Sequence, residues 1–359
     1  MKRTIVLGMT GSVATVLWEK LIKKFQTLGN VVVVLTPKAE HFVPDDLNDV
    51  EVFREHHEWT WFRSAMVEHP GYLNIDHKWR KDDPVLHIEL RKRGSALVIA
   101  PCSANTLGKM ASGVCDNLLT SVARAWDIFR PVIIAPAMNT HMWDHPVTED
   151  NLQKLRGWGY KIVEPQSKML ACGTFGNGAL ADIDEIVKAT HDALRWKLPI
   201  PVENFSGIPM TGHPGSFAYQ RKYEKHTGVD LYCKEGQEVF AVENGIVVGI
   251  EHFTGEWDIS PWWNNTDCVL VEGATGVVCY GEILPKRELQ VGDRLVRGEY
   301  IGNVVRVLKE GKERKDIPGH STSMLHMELY PHGTTKVADG FDEKLLNDIT
   351  PFLLDAEKW

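Results

Sequence analysis

Four apolar runs punctuate the first half of the chain: residues 4–7, 31–35, 96–100 and 131–135. Each is short and lacks polar alternation, which is the mark of a strand buried on both faces of a parallel sheet. Helical spacing follows them, over residues 13–26, 39–43, 107–110, 117–125, 147–156 and 182–196. A last strand is expected at 160–163. Residues 44–84 are polar and mixed, with Trp59, Trp61 and Trp79, and suit a connecting region with an edge strand near 50–53. Strand-helix alternation of this kind predicts an α/β, doubly wound parallel sheet with right-handed crossovers. The rhythm changes after Leu198-Pro199-Ile200-Pro201, Pro209 and Pro214. From about Gly228 short strands alternate with glycine turns, at 239–242, 245–248, 268–271, 277–280 and 300–304, and predict a smaller β-rich domain. The expected division is a first domain over 1–197, a linker over 198–225, a second domain over 226–335 and a tail over 336–359.

A length of 359 residues agrees with about two domains. The 43% hydrophobic fraction supplies a full core, and a formal charge of -8 argues against a general nucleic-acid binder. No apolar stretch reaches the roughly 20 residues that cross a bilayer. The start, Met1-Lys2-Arg3 and an apolar run, has features of a secretory leader. A strand, a Gly8-Met9-Thr10-Gly11-Ser12 turn and an amphipathic helix account for it better. The six cysteines (102, 115, 172, 233, 268, 279) form no CxxC pair, which fits a reducing, cytoplasmic setting. The Asn-x-Ser/Thr triplets at Asn204 and Asn264 are weak evidence for secretion.

The candidate chemistry gathers behind the apolar runs. Pro101-Cys102-Ser103-Ala104-Asn105-Thr106 follows one run, and Pro136-Ala137-Met138-Asn139-Thr140-His141-Met142-Trp143 follows another. Small polar residues at the carboxyl ends of parallel strands are where an open α/β sheet holds its ligand. Gly8 and Gly11 form either a plain tight turn or an anion cradle at a helix N-terminus. The stretch Leu170-Ala171-Cys172-Gly173-Thr174-Phe175-Gly176-Asn177-Gly178 is either a surface loop or a lid carrying a thiol. His87, alone in Leu86-His87-Ile88-Glu89-Leu90, has no role fixed by its surroundings. In the second domain, His226 and Asp230 four apart, with His326 on a distant strand, form a plausible three-ligand zinc set.

Residues 1–190 resemble the flavin-containing cysteine decarboxylases. The resemblance rests on Gly8 to Ala14, Asp83-Pro84-Val85-Leu86-His87, Ser103-Ala104-Asn105-Thr106, Gly113-Val114-Cys115-Asp116-Asn117, the Pro136 to Trp143 stretch and Ala171-Cys172-Gly173, in that order. It implies a flavodoxin-like fold, FMN as cofactor, and a homotrimer with active sites between subunits. Gly11, Ser12, Val13, Thr36, Ser103, Ala104, Asn105, Thr106 and Ala137 would hold FMN. Asn139 would grip the substrate carboxylate, with Met138, Ala171 and Gly173 beside the substrate. His87 would be the base and Cys172 the acid. The implied reaction is decarboxylation of 4'-phosphopantothenoylcysteine, a step of coenzyme A synthesis. FMN takes a hydride from the carbon bearing sulfur, the thioaldehyde so formed accepts the electrons left by carbon dioxide, and the enethiolate is then reduced. Thr174 stands where the family usually has an acidic residue, which leaves a peptide C-terminal cysteine as the alternative substrate.

Residues 206–332 resemble the lysostaphin/LytM-type zinc endopeptidases, through His226 to Gly249, Tyr280-Gly281-Glu282-Ile283-Leu284 and the stretch from Val291 to Gly302. The resemblance implies His226, Asp230 and His326 as ligands. Two catalytic histidines of that family are replaced, by Glu282 and Met324, so the expectation is a zinc-stabilised binding or assembly module. A zinc endopeptidase, or a binding protein with the flavin domain as scaffold, is the remaining alternative class.

Overall fold

The structure, a computed structural model, describes residues 3–45, 47, 49–59, 81, 83–170, 173, 175–222, 224–255, 263–312 and 322–358. The chain divides into two compact units between Leu194 and Arg195.

The first unit is built on six parallel strands in the order β3-β2-β1-β4-β5-β6. They are β1 Thr4–Met9, β2 Asn30–Leu35, β3 Glu51–Phe53, β4 Ala96–Cys102, β5 Val132–Pro136 and β6 Lys161–Ile162. The uninterrupted apolar runs are central strands: all seven residues of β4 and all five of β5 are buried. Burial of each Leu, Val or Ile there contributes about 1.5–3 kcal/mol. Register is continuous from Leu7 against Val33 to Leu7 against Val98, so β1 lies between β2 and β4. The short β3 closes one edge at the position expected for an edge strand.

Helices α1 Trp18–Phe25, α2 Leu86–Arg93, α3 Ala104–Ser112, α4 Leu118–Ala125, α5 Thr140–Trp143, α6 Pro146–Gly157 and α7 Ile183–Leu194 accompany the sheet. Two sequence expectations need adjusting. The helix expected over 13–26 opens with a 3₁₀ turn, Val13–Leu17, before α1, and the helix expected at 39–43 is a single 3₁₀ turn, Glu40–Phe42. Residues 103–106, expected as a loop, form the capped start of α3, with the Ser103 side chain accepting from the Thr106 amide. Thr120 and Asn117 cap α4 reciprocally. A hairpin of β7 Gln166–Met169 and β8 Phe175–Ala179 occupies the glycine-rich stretch. Ala171, Cys172, Thr174, Trp61 and Trp79 lie outside the described residues.

The second unit is antiparallel. Its strands are β9 Val229–Tyr232, β10 Glu238–Phe240, β11 Gly245–Thr254, β12 Thr266–Gly273, β13 Val277–Pro285, β14 Arg294–Leu295, β15 Tyr300–Val304 and β16 Met324–Tyr330. The sheet order is β10-β15-β13-β12-β11-β14, and β16 joins β13 to β9. The segment expected as a linker over 198–225 is part of this unit, because Leu198, Ile200 and Phe205 lie in its core. The expected tail is too: Ile349, Leu353 and Ala356 pack in the same core, and Leu346 in a neighbouring cluster. Among the described residues, no helix is long and apolar enough to cross a membrane.

Candidate active site and candidate metal centre

The strand order of the first unit reverses at β1, and β1 and β4 diverge into separate loops beyond their carboxyl ends. An open α/β sheet leaves its crevice at such a point. A cleft of about 890 Å³ lies there, within the usual range of small-molecule sites. Its walls are the loops after four strands: Gly11, Ser12, Val13 and Ala14 after β1, Thr36, Pro37 and Lys38 after β2, Ser103 to Thr106 after β4, and Ala137, Met138 and Asn139 after β5. Every FMN-holding residue expected from the sequence therefore lines one cavity.

Local hydrogen bonds fix these loops. Buried Thr10 donates its hydroxyl to the Pro101 carbonyl at 2.8 Å and accepts from the Ser103 amide at 2.8 Å, tying the end of β1 to the end of β4. Ser12 Oγ donates to the Ala137 carbonyl at 3.1 Å. The Asn139 side chain accepts from the His141 amide at 2.9 Å, which sets its position at the start of α5. A Cβ on Gly11 would stand 2.4 Å from the Lys38 Cβ, so the close approach of the first two loops there requires glycine.

The β7-β8 hairpin is anchored to the same wall. The Met138 amide donates to the Gly178 carbonyl at 2.9 Å, and Thr140 Oγ1 donates to the Asn177 carbonyl at 2.8 Å. Gly178 has φ +121, and a Cβ there would meet the Met138 carbonyl at 2.4 Å. This root places Lys168, Met169 and Leu170 on the cleft. Gly173, at the turn, has φ +81.

His87 is not among the residues lining this cleft. It sits at the start of α2, half-buried, with Nδ1 2.5 Å from Glu58 Oε1. Glu58 is buried, and its Oε2 has no hydrogen-bond partner among the described residues. Burial raises the Glu58 carboxyl above the usual range, and the hydrogen bond from His87 works against that rise. A buried carboxylate with one imidazole partner fixes the proton on Nδ1 and leaves Nε2 as the basic nitrogen. The thiol nearest the cleft in sequence, Cys102, is fully buried, and burial pushes its pKa up to about 12, so it is inert.

In the second unit, sheet register brings the three expected ligands together. Asp230 on β9 lies directly opposite His326 on β16, and His226 enters just before β9. His226 Nε2 is 3.1 Å from Asp230 Oδ1 and 3.3 Å from His326 Nδ1, and His326 Nδ1 is 2.8 Å from Asp230 Oδ1. All three side chains are buried. Each outer atom is occupied: His226 Nδ1 donates to the Ser216 carbonyl at 2.9 Å, His326 Nε2 donates to Glu328 Oε1 at 3.1 Å, and Asp230 Oδ2 accepts from Arg221 at 2.8 Å. Ser216 offers only an acceptor there, so Nδ1 of His226 carries its proton and Nε2 its lone pair. Burial lowers the pKa of His226. Burial also opposes charge on His326, but hydrogen bonds to Asp230 and Glu328 raise it to about 10. Burial first, then the Asp230 charge, push the Glu282 carboxyl up to about 8.

Several contributors escaped the sequence reading. Thr10 and Met142 lay within the named motifs without being singled out, Glu58 carries no motif, Lys168 lines the cleft from an exposed position, and Glu328 and Arg221 support the buried triad through direct hydrogen bonds to His326 and Asp230. Glu328, two residues after His326 on one strand, was the only one of these with a visible spacing signal.

The Flavoprotein family matches residues 1–195. A phosphopantothenoylcysteine decarboxylase of Mus musculus is 40% identical over 195 residues, covering 54% of this chain and 88% of the relative. One from Arabidopsis thaliana is 43% identical over 185 residues, covering 50% of this chain and 80% of the relative. Among solved structures, a mutant PPC decarboxylase complexed with pantothenoylaminoethenethiol is 39% identical, at a TM-score of 0.47 over 53% of this chain and 97% of the other. The FMN binding protein AtHal3 is 39% identical, at 0.46 over 53% and 96%. The chain thus belongs, through its first unit, to the Flavoprotein family, alongside the phosphopantothenoylcysteine decarboxylases.

Proposed function

We propose that the first unit is an FMN-dependent decarboxylase of 4'-phosphopantothenoylcysteine, forming 4'-phosphopantetheine in the cytoplasm. The observation that carries this is the cleft at the carboxyl ends of β1, β4 and β5, lined by Gly11 to Val13, Ser103 to Thr106 and Ala137 to Asn139. Family membership and the decarboxylase relatives support the activity. The glycine-lined corner and the capped start of α3 suit a phosphate, since helix N-terminal amides favour an anion. Held by Gly11 to Val13, Thr36, Ser103 to Thr106 and Ala137, FMN would supply a reversible hydride acceptor. The chain's own residues do the rest. The Asn139 amide holds the carboxylate, beside Met138. Ala171 and Gly173 would contact the substrate. His87 receives the thiol proton, and Cys172 delivers a proton to the enethiolate carbon.

His87 lies off the cleft of its own chain, and Val16, Leu17, Met142 and Met169 are exposed around that cleft. Apolar exposure of this kind suits a covered surface. A homotrimer with active sites between subunits accounts for both, with His87 of one subunit serving the cleft of another. The test offers full-length protein phosphopantothenoylcysteine and, separately, a peptide ending in cysteine, and follows carbon dioxide. Release from the first alone supports the proposed substrate; release from the peptide alone overturns it in favour of peptide processing.

For the second unit we propose a zinc site at His226, Asp230 and His326, in a binding or assembly module that is not a peptidase. Tetrahedral zinc with bonds of about 2.0–2.1 Å places its ligand atoms about 3.3 Å apart, close to the 2.8–3.3 Å edges of this triangle. The outer hydrogen bonds, donated by the imidazoles to Ser216 O and Glu328 and by Arg221 to Asp230, are the kind that orient metal ligands. His226→Ala is expected to lose the bound zinc, read as one equivalent falling to none by elemental analysis of the full chain. Undiminished zinc in that variant would assign the metal elsewhere.

A further inference from the structure

We propose that Lys168, on β7 of the hairpin beside the cleft, pairs with the phosphate of the substrate and so sets the preference for a phosphorylated cysteine substrate over the same molecule without its phosphate. The proposal rests on the decarboxylase reading above and names a specificity determinant of that cleft.

Among the described residues, the cations lining the cleft are Lys38, Lys109 and Lys168. Lys109 is already neutralised: its Nζ donates to both carboxylate oxygens of Asp116, at 2.9 and 2.7 Å. Lys38 packs against Gly11, at the close approach of the first two loops, so its place is beside the glycine-lined end of the cleft. Lys168 makes no side-chain hydrogen bond or ion pair among the described residues.

Strand register decides which way Lys168 faces. It stands directly opposite Gly176 across the hairpin, and directly opposed residues share a face. A Cβ on Gly176 would lie 2.4 Å from Thr140 Oγ1, so this face is turned towards the start of α5, next to Asn139. The next pair, Met169 and Phe175, takes the opposite face, and its side chains are 62% and 69% exposed. Lys168 therefore stands on the inner face of the hairpin, over the cleft, with a glycine across from it.

The chemistry separates the two anionic ends of the proposed substrate. Pairing an ammonium with the carboxylate would favour the ground state, because that charge leaves the carboxyl group as carbon dioxide forms. The neutral Asn139 amide suits the carboxylate better. A phosphate monoester carries a charge of about -1.5 to -2 at neutral pH and keeps it throughout the reaction. An ammonium on a flexible stem meets such a group as a point charge, and this pairing strengthens binding without opposing the chemical step.

Steady-state kinetics of the full-length, FMN-loaded protein test this, with 4'-phosphopantothenoylcysteine and pantothenoylcysteine as the two substrates. The unsubstituted protein is expected to have the higher kcat/KM for the phosphorylated one. In Lys168→Met that preference is expected to shrink by about tenfold to a hundredfold, the range for losing a hydrogen bond to a charged group. The change should fall in KM, and FMN content by absorbance should stay at that of the unsubstituted protein. An equal loss of kcat/KM for both substrates would overturn the proposal, because Lys168 would then meet a group the two share. Loss of FMN from the variant would overturn it too, assigning Lys168 to the cofactor. Equal use of both substrates by the unsubstituted protein would do so without any variant. Release of carbon dioxide from neither substrate would instead remove the underlying decarboxylase reading.

Discussion

Replacing His87 with Asn is expected to lower the rate of carbon dioxide release by about 10²–10⁴ while leaving FMN bound, because a positioned acid-base group contributes on that scale. His87 does not line the cleft, so loss of its imidazole should not disturb the loops from Gly11, Ser103 or Ala137. Its partner Glu58 sharpens the expectation. The 2.5 Å contact from Glu58 Oε1 to His87 Nδ1 orients the ring and fixes its tautomer. Glu58→Gln keeps the shape and can leave the proton on the wrong nitrogen. It should lower kcat measurably, by less than the His87→Asn loss, with KM held. Stopped-flow carbon dioxide detection, alongside flavin content by absorbance, reads both. A Glu58→Gln enzyme with full kcat would reduce the pair to a structural contact.

The second large effect concerns the product rather than the rate. Cys172→Ser is expected to release carbon dioxide and stop at the enethiol. A serine hydroxyl is a far weaker acid than a thiol, so the carbon that must receive a proton lacks a donor. Mass spectrometry should then find a product two hydrogens short of 4'-phosphopantetheine. Fully reduced product from that variant would place the proton donor elsewhere.

The fold was largely legible where burial was uniform. The runs at 96–100 and 131–135 are central strands because every residue there is inside. The sites they end in, Ser103 to Thr106 and Ala137 to Asn139, followed from the rule that such strands deliver ligands at their carboxyl ends. Legibility failed where burial was irregular. Residues 198–225 carry prolines and no period, yet Leu198, Ile200 and Phe205 each fill the core of the second unit singly. A linker and a proline-rich, core-filling segment have the same composition; only packing separates them. Glu58 was hidden for a related reason, since it sits in a polar region whose single functional contact spans 29 residues. In the second unit, the spacing of His226 and Asp230 was visible, but the β12-β13 bulge beside Glu282 depends on strand register and left no trace in the sequence.

These features describe one chain with a decarboxylation cleft in the first unit and, in the second, a buried His226, Asp230 and His326 cluster for which a zinc site is proposed. The first stands at the centre, and one measurement reaches it most directly. Purified full-length protein is examined for flavin absorbance, reconstituted with FMN if pale, given phosphopantothenoylcysteine, and its product weighed. The account predicts a yellow protein and a product lighter than substrate by the mass of carbon dioxide. A protein that takes up no FMN and returns the substrate at its original mass would contradict it.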